Sequence, residues 1–325
     1  MFKFASIFAG CGGCDLGMVG DFNFNNIHYN RLPFESVFVN DIDRKALSTH
    51  ELNLKTRSIL CCDVCDLDTT DIPEHDVLIG GFPCQSFSTV NPTKDPFDDR
   101  ANLYKQMVRI VKEKQPKAFI AENVKGLLTL KQGSIFKRIC RAFEEAGYVL
   151  TYKLLNAANF GVPQKRERII IVGIRKDLGA TFVFPEEPNV DKWVPLSAAV
   201  KQLAISDKKY YFSERAVLGM KNAKNNMKRG LAQDLNAPSL TVTSHLAKVS
   251  LNSRDPVLLV DPKKELYRRF TPREAARIQS FPDEFCFAGS DADAYRQIGN
   301  AVPPVMFWHI SNSLAKLLAS VATEE

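Results

Sequence analysis

The feature that most limits the fold is a repeated switch of hydrophobic period. Residues 4–8, 36–40, 59–64, 77–79 and 118–121 are short apolar runs of strand length. Between them, residues 43–54, 102–114 and 134–146 carry apolar side chains at helical spacing. Residues 150–155 and 168–174 add two further strand-like runs. Strands joined through helices cannot pair as tight hairpins, so the crossovers set neighbours parallel and put helices on both faces. The predicted fold class is therefore α/β, a doubly wound, mostly parallel sheet. In such folds ligands bind at the carboxyl ends of the strands.

The alternation loosens after Phe184-Pro185-Glu186-Glu187-Pro188. From 189 to 271 the chain carries 15 Lys/Arg against 7 Asp/Glu, leaving 28 against 30 elsewhere. A second, smaller, basic domain is predicted there, facing a polyanion. Regular structure resumes at Thr271-Pro272-Arg273-Glu274, a helix start with its cap, an N1 proline and an N3 glutamate. Residues 305–321 read as an amphipathic helix able to pack back on the sheet. The domain reading is a catalytic body at 1–188, completed by 297–325, with a small domain at 189–271 and a hinge at 272–296. No apolar run is long enough to span a bilayer, and the first residues enter a strand without a leader pattern. A cytoplasmic protein with reduced cysteines is expected.

The strand ends carry the chemistry. The first strand runs into Phe8-Ala9-Gly10-Cys11-Gly12-Gly13-Cys14-Asp15, a loop whose glycines let the backbone approach a ligand. It is not GxGxxG, which speaks against a dehydrogenase. The second strand ends at Asp41 and Ile42, where a carboxylate suits ribose hydroxyls. The third ends at Asp63, which could accept from an adenine amino group. Together these ends favour an adenosine-containing cofactor. The fourth runs into Gly80-Gly81-Phe82-Pro83-Cys84-Gln85-Ser86, placing a thiol straight after a proline in a loop. A thiolate there can add to an electron-poor carbon, and the proline fixes its approach. The fifth ends at Glu122, a carboxyl that sits badly in a core unless it is paired or used. Arg166 and Arg168 enter a strand where they could reach a carbonyl oxygen or a phosphate.

In set and in order, the stretches FAGCGG, NDID, GGFPCQS, ENVKG, QKRERIIIVG, RRFTPREAARIQSFPDEF and QIGNAVPP resemble the DNA (cytosine-5)-methyltransferase family, bacterial restriction-modification type. They run from Phe8 to Pro304 and leave mainly the basic segment unmatched. The resemblance implies a Rossmann-like sheet and S-adenosyl-L-methionine as cofactor, bound by Phe8, Gly10, Gly13, Asp41, Ile42, Asp63, Pro83, Leu103, Asn300 and Val302. It implies Cys84 as nucleophile, Glu122 as the acid at the cytosine ring, and Arg166 and Arg168 beside the target base. Residues 85–100 would form a mobile loop closing over double-stranded DNA. The basic segment would read the target, with Gln85, Ser88, Arg100, Thr241, Thr243, Ser244, His245, Lys248 and Arg254 as DNA contacts. A cognate restriction endonuclease is a possible companion without a stable complex, and a monomer is expected. An RNA cytosine methyltransferase on the same scaffold, a catalytically inactive DNA-binding homologue and a nicotinamide oxidoreductase are the alternatives. The pairs Cys11/Cys14 and Cys62/Cys65 have zinc-ligand spacing. They fall in the cofactor loop and beside the adenine position, so no metal is expected. Residues 23–31 read as a polar insertion without a role.

Overall fold

The computed structural model describes residues 1–83, 103–222, 232–248 and 257–323. The strands are β1 (Phe2–Ile7), β2 (Phe22–Phe24), β3 (Ile27–Tyr29), β4 (Phe34–Asp41), β5 (Ile59–Cys61), β6 (Val77–Gly80), β7 (Ala118–Val124), β8 (Tyr148–Asn156), β9 (Gln164–Lys165), β10 (Glu167–Arg175), β11 (Ser239–Leu240), β12 (Leu258–Asp261) and β13 (Leu266–Arg268). The helices are α1 (Gly13–Val19), α2 (Arg44–Asn53), α3 (Leu103–Lys114), α4 (Ser134–Glu145), α5 (Glu214–Asn222), α6 (Pro272–Ile278), α7 (Asp291–Asn300) and α8 (Pro304–Ala322).

Seven strands form one sheet in the order β5-β4-β1-β6-β7-β10-β8. All neighbours are parallel except β10, which runs antiparallel to both β7 and β8. The chain builds outward from β1 through β4 to β5, then returns to the other side of β1 with β6 and β7. Loops leaving β1 and β6 therefore diverge, and a crevice opens between them at the carboxyl edge. The sheet is buried on both faces, which is why its strands read as unbroken apolar runs. Phe4, Val77, Ile79, Ile120, Ile170 and Val172 share one core with Phe307, Ile310 and Leu314 of α8. Ala5, Ile7, Leu78, Phe119, Ile169 and Ile171 share the other with Met107 of α3 and Ile139 of α4.

The expected strand at 59–64 stops at Cys61. Asp63 turns the chain there, its carboxylate accepting from Cys65 N at 2.9 Å. The insertion at 23–31 is largely the β2–β3 hairpin. Its turn residues Asn25 and Asn26 both have positive φ, as a tight two-residue hairpin turn demands. Phe22 stacks on Tyr29, Tyr29 packs edge-on to Trp308, and Trp308 Nε1 donates to Asn30 O at 2.8 Å. The hairpin thus clasps the start of α8.

The basic segment is short on regular structure. Leu196, Val200, Val242, Leu246, Leu258 and Phe270 join the α8-side core, while Val217, Met220, Val257 and Tyr267 form a small cluster of their own. α6 begins at Thr271 with the expected capping box to Glu274. Glu274 also takes both nitrogens of the fully buried Arg268 at 2.7 Å. The other Arg268 donors go to the carbonyls of Gln202, Leu203 and Arg269. This pair ties the basic segment to the hinge expected at 272–296.

Candidate active site

A cavity of about 860 Å³ opens at the carboxyl edge of the sheet. Its walls contain all ten residues expected to hold the cofactor: Phe8, Gly10, Gly13, Asp41, Ile42, Asp63, Pro83, Leu103, Asn300 and Val302. Glu122, Arg166 and Arg168 line the same space.

The floor is made by the turn from β1 into α1. Phe8 itself has φ 53°, a conformation that a bulky side chain rarely takes. A Cβ on Gly13 would sit 2.5 Å from the Val302 carbonyl oxygen, so this loop and the chain after α7 meet backbone to backbone. Asp41 accepts from Gly10 N at 2.7 Å and from Asp43 N at 2.8 Å. Burial raises its pKa, and these two amides oppose the rise. Ile42 is 69% exposed at the cavity wall, an unusual place for an isoleucine without a ligand to cover it. Beneath the loop lies a pair the sequence reading missed. His50 and Asp15 are both buried, with Nε2 and Oδ1 3.3 Å apart, and Ser6 Oγ donates to the other Asp15 oxygen. Gly12 has no side chain because a Cβ would strike the His50 ring at 2.7 Å. Asp15 closes the glycine loop and His50 stands 35 residues further along the sequence, with nothing local to mark the pairing.

The far wall is acid and base together. Glu122, near the end of β7, forms an ion pair with Arg168, Nε lying 2.8 Å from Oε1, and both side chains are largely shielded from solvent. Gly81 faces this carboxylate, since a Cβ there would lie 3.1 Å from Glu122 Oε2. Asn123 Nδ2 donates to Phe82 O at 2.9 Å and so locks the end of β6 against the end of β7. Glu122 is thereby held next to Pro83, the last residue described before Cys84. Arg166 is buried and donates to the carbonyls of Val242, Gly299 and Ala301 at 3.0, 3.0 and 2.9 Å. Among the described residues its Nε has no hydrogen-bond partner. Burial pulls its pKa well down and nearby Arg168 adds to this, while Glu122 opposes. Cys14, also in the wall, is pushed well up by burial and then by Glu122, so it stays a thiol.

The expected DNA-reading residues divide. Cys84, Gln85, Ser88, Arg100 and Arg254 lie outside the described residues. Thr241 follows β11, which pairs with β9, and its hydroxyl donates to Lys165 O at 2.7 Å. Val242 N donates to Gln164 Oε1, and Thr243 Oγ1 accepts from His245 N. Thr243 and Ser244 pass directly over Gly299 of α7. His245 is exposed, and Lys248 closes a short 3-10 turn. Thr243 and Ser244 thus pack on Gly299, and Val242 O on Arg166, both of which line the cavity, while Thr241 lines a smaller recess beside it. Three lysines of the basic segment are taken by carboxylates: Lys201 by Asp283, Lys209 by Asp291 and Lys221 by Glu265. Among the described residues no group of three or more His, Cys, Asp or Glu is arranged to hold a metal, and no helix is long and apolar enough to cross a membrane. The Cys11 thiol is buried and pushed up to about 12, lying near Gln297 O.

A glycine loop after β1, acidic ends on β4 and β5, and a crevice at the switch between β1 and β6 define a Rossmann-like α/β protein built for a nucleoside-bearing ligand. The family model for C-5 cytosine-specific DNA methylases matches residues 2–316, and the chain belongs to that family. Among its relatives, the type II methyltransferase M.FnuDI of Fusobacterium nucleatum is 33% identical over 97% of this chain and 95% of that protein. M.NlaX of Neisseria lactamica is 33% identical over 99% of both. Among solved structures, a prophage-encoded DNA modification methyltransferase of E. coli superposes with TM-score 0.75 at 24% identity, covering 98% of this chain and all of that one. DNMT2 of Spodoptera frugiperda gives 0.76 at 19% identity, over 98% of this chain and all of that one. The chain is a DNA cytosine-5 methyltransferase.

Proposed function

We propose that this enzyme transfers a methyl group from S-adenosyl-L-methionine to carbon 5 of a cytosine flipped out of duplex DNA, as the modifying half of a restriction-modification system. The observation that carries the reading is the single cavity in which ten expected cofactor residues and Glu122, Arg166 and Arg168 meet. Its shape fits the cofactor: open space above Gly10, close backbone at Gly13, a carboxylate at Asp41 and an apolar face at Ile42. When bound, the sulfonium supplies an electrophilic methyl group.

Carbon 5 of cytosine is too poor a nucleophile to take that methyl unaided. The Cys84 thiolate adds to carbon 6, forming a C–S bond, while Glu122 supports the proton at N3. The ring becomes enamine-like, and its carbon 5 would take the methyl as the methyl–sulfur bond breaks and the bonding pair returns to the sulfur. Loss of the C5 proton then expels the thiolate and restores the ring. Arg168, paired with Glu122, positions that carboxyl and is suited to donate to the exocyclic carbonyl oxygen of the cytosine. In a duplex the ring faces are stacked, so the base must leave the helix. The residues 189–271, with Thr241 to His245 among them, are proposed to read the target and hold the deformed DNA.

The test is methyl transfer from labelled S-adenosyl-L-methionine to unmethylated duplex DNA, with bisulfite sequencing of the product. Methylation at one short recurrent site is expected. Incorporation into RNA and not into DNA would refute the reading. Cys84→Ser should abolish turnover and keep cofactor binding.

A further inference from the structure

Between Glu122 and Glu144 the chain has five Lys/Arg and no Asp/Glu, although acids outnumber bases outside 189–271 as a whole. Lys125 is matched by Glu167 at 3.0 Å. The other four, Lys131, Lys137, Arg138 and Arg141, are exposed, and among the described residues none has a carboxylate partner. Neither the cofactor cavity nor the family motifs use them.

Helix stability does not account for these charges. In α4 the apolar residues, from Ile135 to Phe143, face the core, which leaves Lys137, Arg138 and Arg141 on the outer face. A helix is stabilised by acids in its first turn and bases in its last. α4 has neither, and its last turn carries Glu144 and Glu145 instead. Lys137 and Arg141 stand one turn apart on the same face, where like charges repel. The pattern therefore works against the helix, as surface charge does when it serves binding and not folding.

The topology places this face. β8 lies parallel to β7, since both run antiparallel to β10. The crossover through α4 thus starts at the carboxyl edge of the sheet and ends at the amino edge. Its cations lie toward the edge that carries the cavity, and its acids lie at the far end. Gly126 and Leu130, on the way into α4, line the cavity, as does Leu103 at the start of α3. Beside Leu103, Tyr104 packs on Phe82, and its phenol is raised by burial and drawn back by nearby Arg138. The charged face therefore continues from the cavity mouth without a break.

We infer that this face of α4, together with Lys131, docks duplex DNA outside the recognition sequence, its cations meeting phosphates of the flank. The inference rests on the proposed action at an extrahelical base, which brings the duplex to this edge. A stiff rod longer than the site must run on past the cavity mouth. A basic face there meets its charge and reads no bases.

The experiment compares a short duplex, ending within a few base pairs of the bisulfite-defined site, with one that continues for about two helical turns on each side. Binding and methyl transfer are measured on the full chain for the wild type, for the triple variant Lys131→Gln/Lys137→Gln/Arg138→Gln and for Lys137→Glu. The wild type should bind the long duplex about tenfold more tightly than the short one. The triple variant should lose most of that advantage, yet bind the short duplex within about twofold of the wild type and methylate it at the same kcat. Its salt dependence on the long duplex should be shallower by about one unit of slope for each cation that meets a phosphate. Lys137→Glu should also lose long-duplex affinity but melt no lower than the wild type, because it turns a repulsive pair with Arg141 into an attractive one. Unchanged long-duplex affinity in the triple variant, an equal loss on both duplexes, or a Lys137→Glu protein that melts lower would overturn the inference. Failure of the wild type to methylate DNA at all would instead bring down the function on which the inference rests.

Discussion

Gly299→Ala isolates the contact that presents the rim of the site. Gly299 lies in α7, and the three atoms nearest to an added Cβ are Ser244 N and Thr243 C at 2.2 Å and Thr243 O at 2.4 Å. All three are backbone, so no rotamer change can make room. Ordinary contact begins near 3.4 Å, so the Thr243–Ser244 segment must retreat by about 1 Å. Two effects oppose each other in stability. Alanine improves the helix by about 1 kcal/mol, while overpacking costs about 1–3 kcal/mol. The net loss is on the order of 0–2 kcal/mol, which moves Tm by a few degrees. The effect on function should be far larger, because a misplacement of about 1 Å in a positioning element can cost about 100-fold. The expected outcome is a fall in kcat/KM for DNA of about 100-fold, with cofactor affinity, measured by calorimetry, within about twofold of wild type. Methyl transfer at the wild-type rate, or a loss fully explained by weaker cofactor binding, would refute the claim that this docking presents the DNA-facing segment.

The Arg268–Glu274 pair should behave as a buried bridge that is costly to break from one side. Glu274→Ala also removes the α6 capping box, and the loss should be about 3–5 kcal/mol in urea unfolding. His309 lies among Tyr29, Phe160 and Trp308, and burial lowers its pKa from 6.5 to about 4. The unfolded chain therefore takes up a proton before the folded one does. Stability from this group is complete above pH 6.5 and falls away down to about pH 4. The loss is on the order of 2–3 kcal/mol. His309→Phe should flatten that part of the pH profile measured by denaturant titration, and an unchanged acid limb would contradict the assignment. His75, also lowered by burial, should keep part of the slope.

The central sheet was legible because both of its faces are buried. Strands such as Ile169–Ile174 then announce themselves as apolar runs, whichever face each residue serves. The cavity-lining residues were legible for a different reason. Gly10, Gly13, Asp41, Asp63, Glu122, Arg166 and Arg168 sit at or beside strand ends, where a glycine, a carboxylate or an arginine interrupts the run, whereas Leu103, Asn300 and Val302 followed only from the family resemblance. What stayed hidden depends on contacts distant in sequence. Asp15 and His50 meet only once α1 and α2 are packed, and nothing near either residue marks the pairing. The insertion at 23–31 looked merely polar because its aromatic residues, Phe22, Phe24 and Tyr29, are spaced across a hairpin whose partner is Trp308. Composition drew a boundary at 189. Yet Leu196, Val200 and Val242 pack into the same core as β1, since charge reports the outside of a segment and not where its apolar side chains go.

Arg166 shows how these long-range contacts shape the chemistry. An arginine this deeply buried needs compensation, and among the described residues no carboxylate pairs with it directly. Three carbonyls from separate stretches do so, at Val242, Gly299 and Ala301. Its side chain therefore joins the sheet, the basic segment and the end of α7 at one point. It also leaves a charge behind. With Arg168 and Glu122, the far wall of the cavity, away from Asp41 and Asp63, carries two cations against one anion. In the proposed reaction the pyrimidine ring gains electron density as the thiolate adds. A net positive wall that is shielded from water and held by backbone lowers the cost of that density without rearranging. Replacing Arg166 by lysine would keep the formal charge but lose the planar fork that reaches three carbonyls at once. The substitution should thus damage both the rim geometry and the wall's charge placement, a double defect visible as loss of turnover together with lower thermal stability.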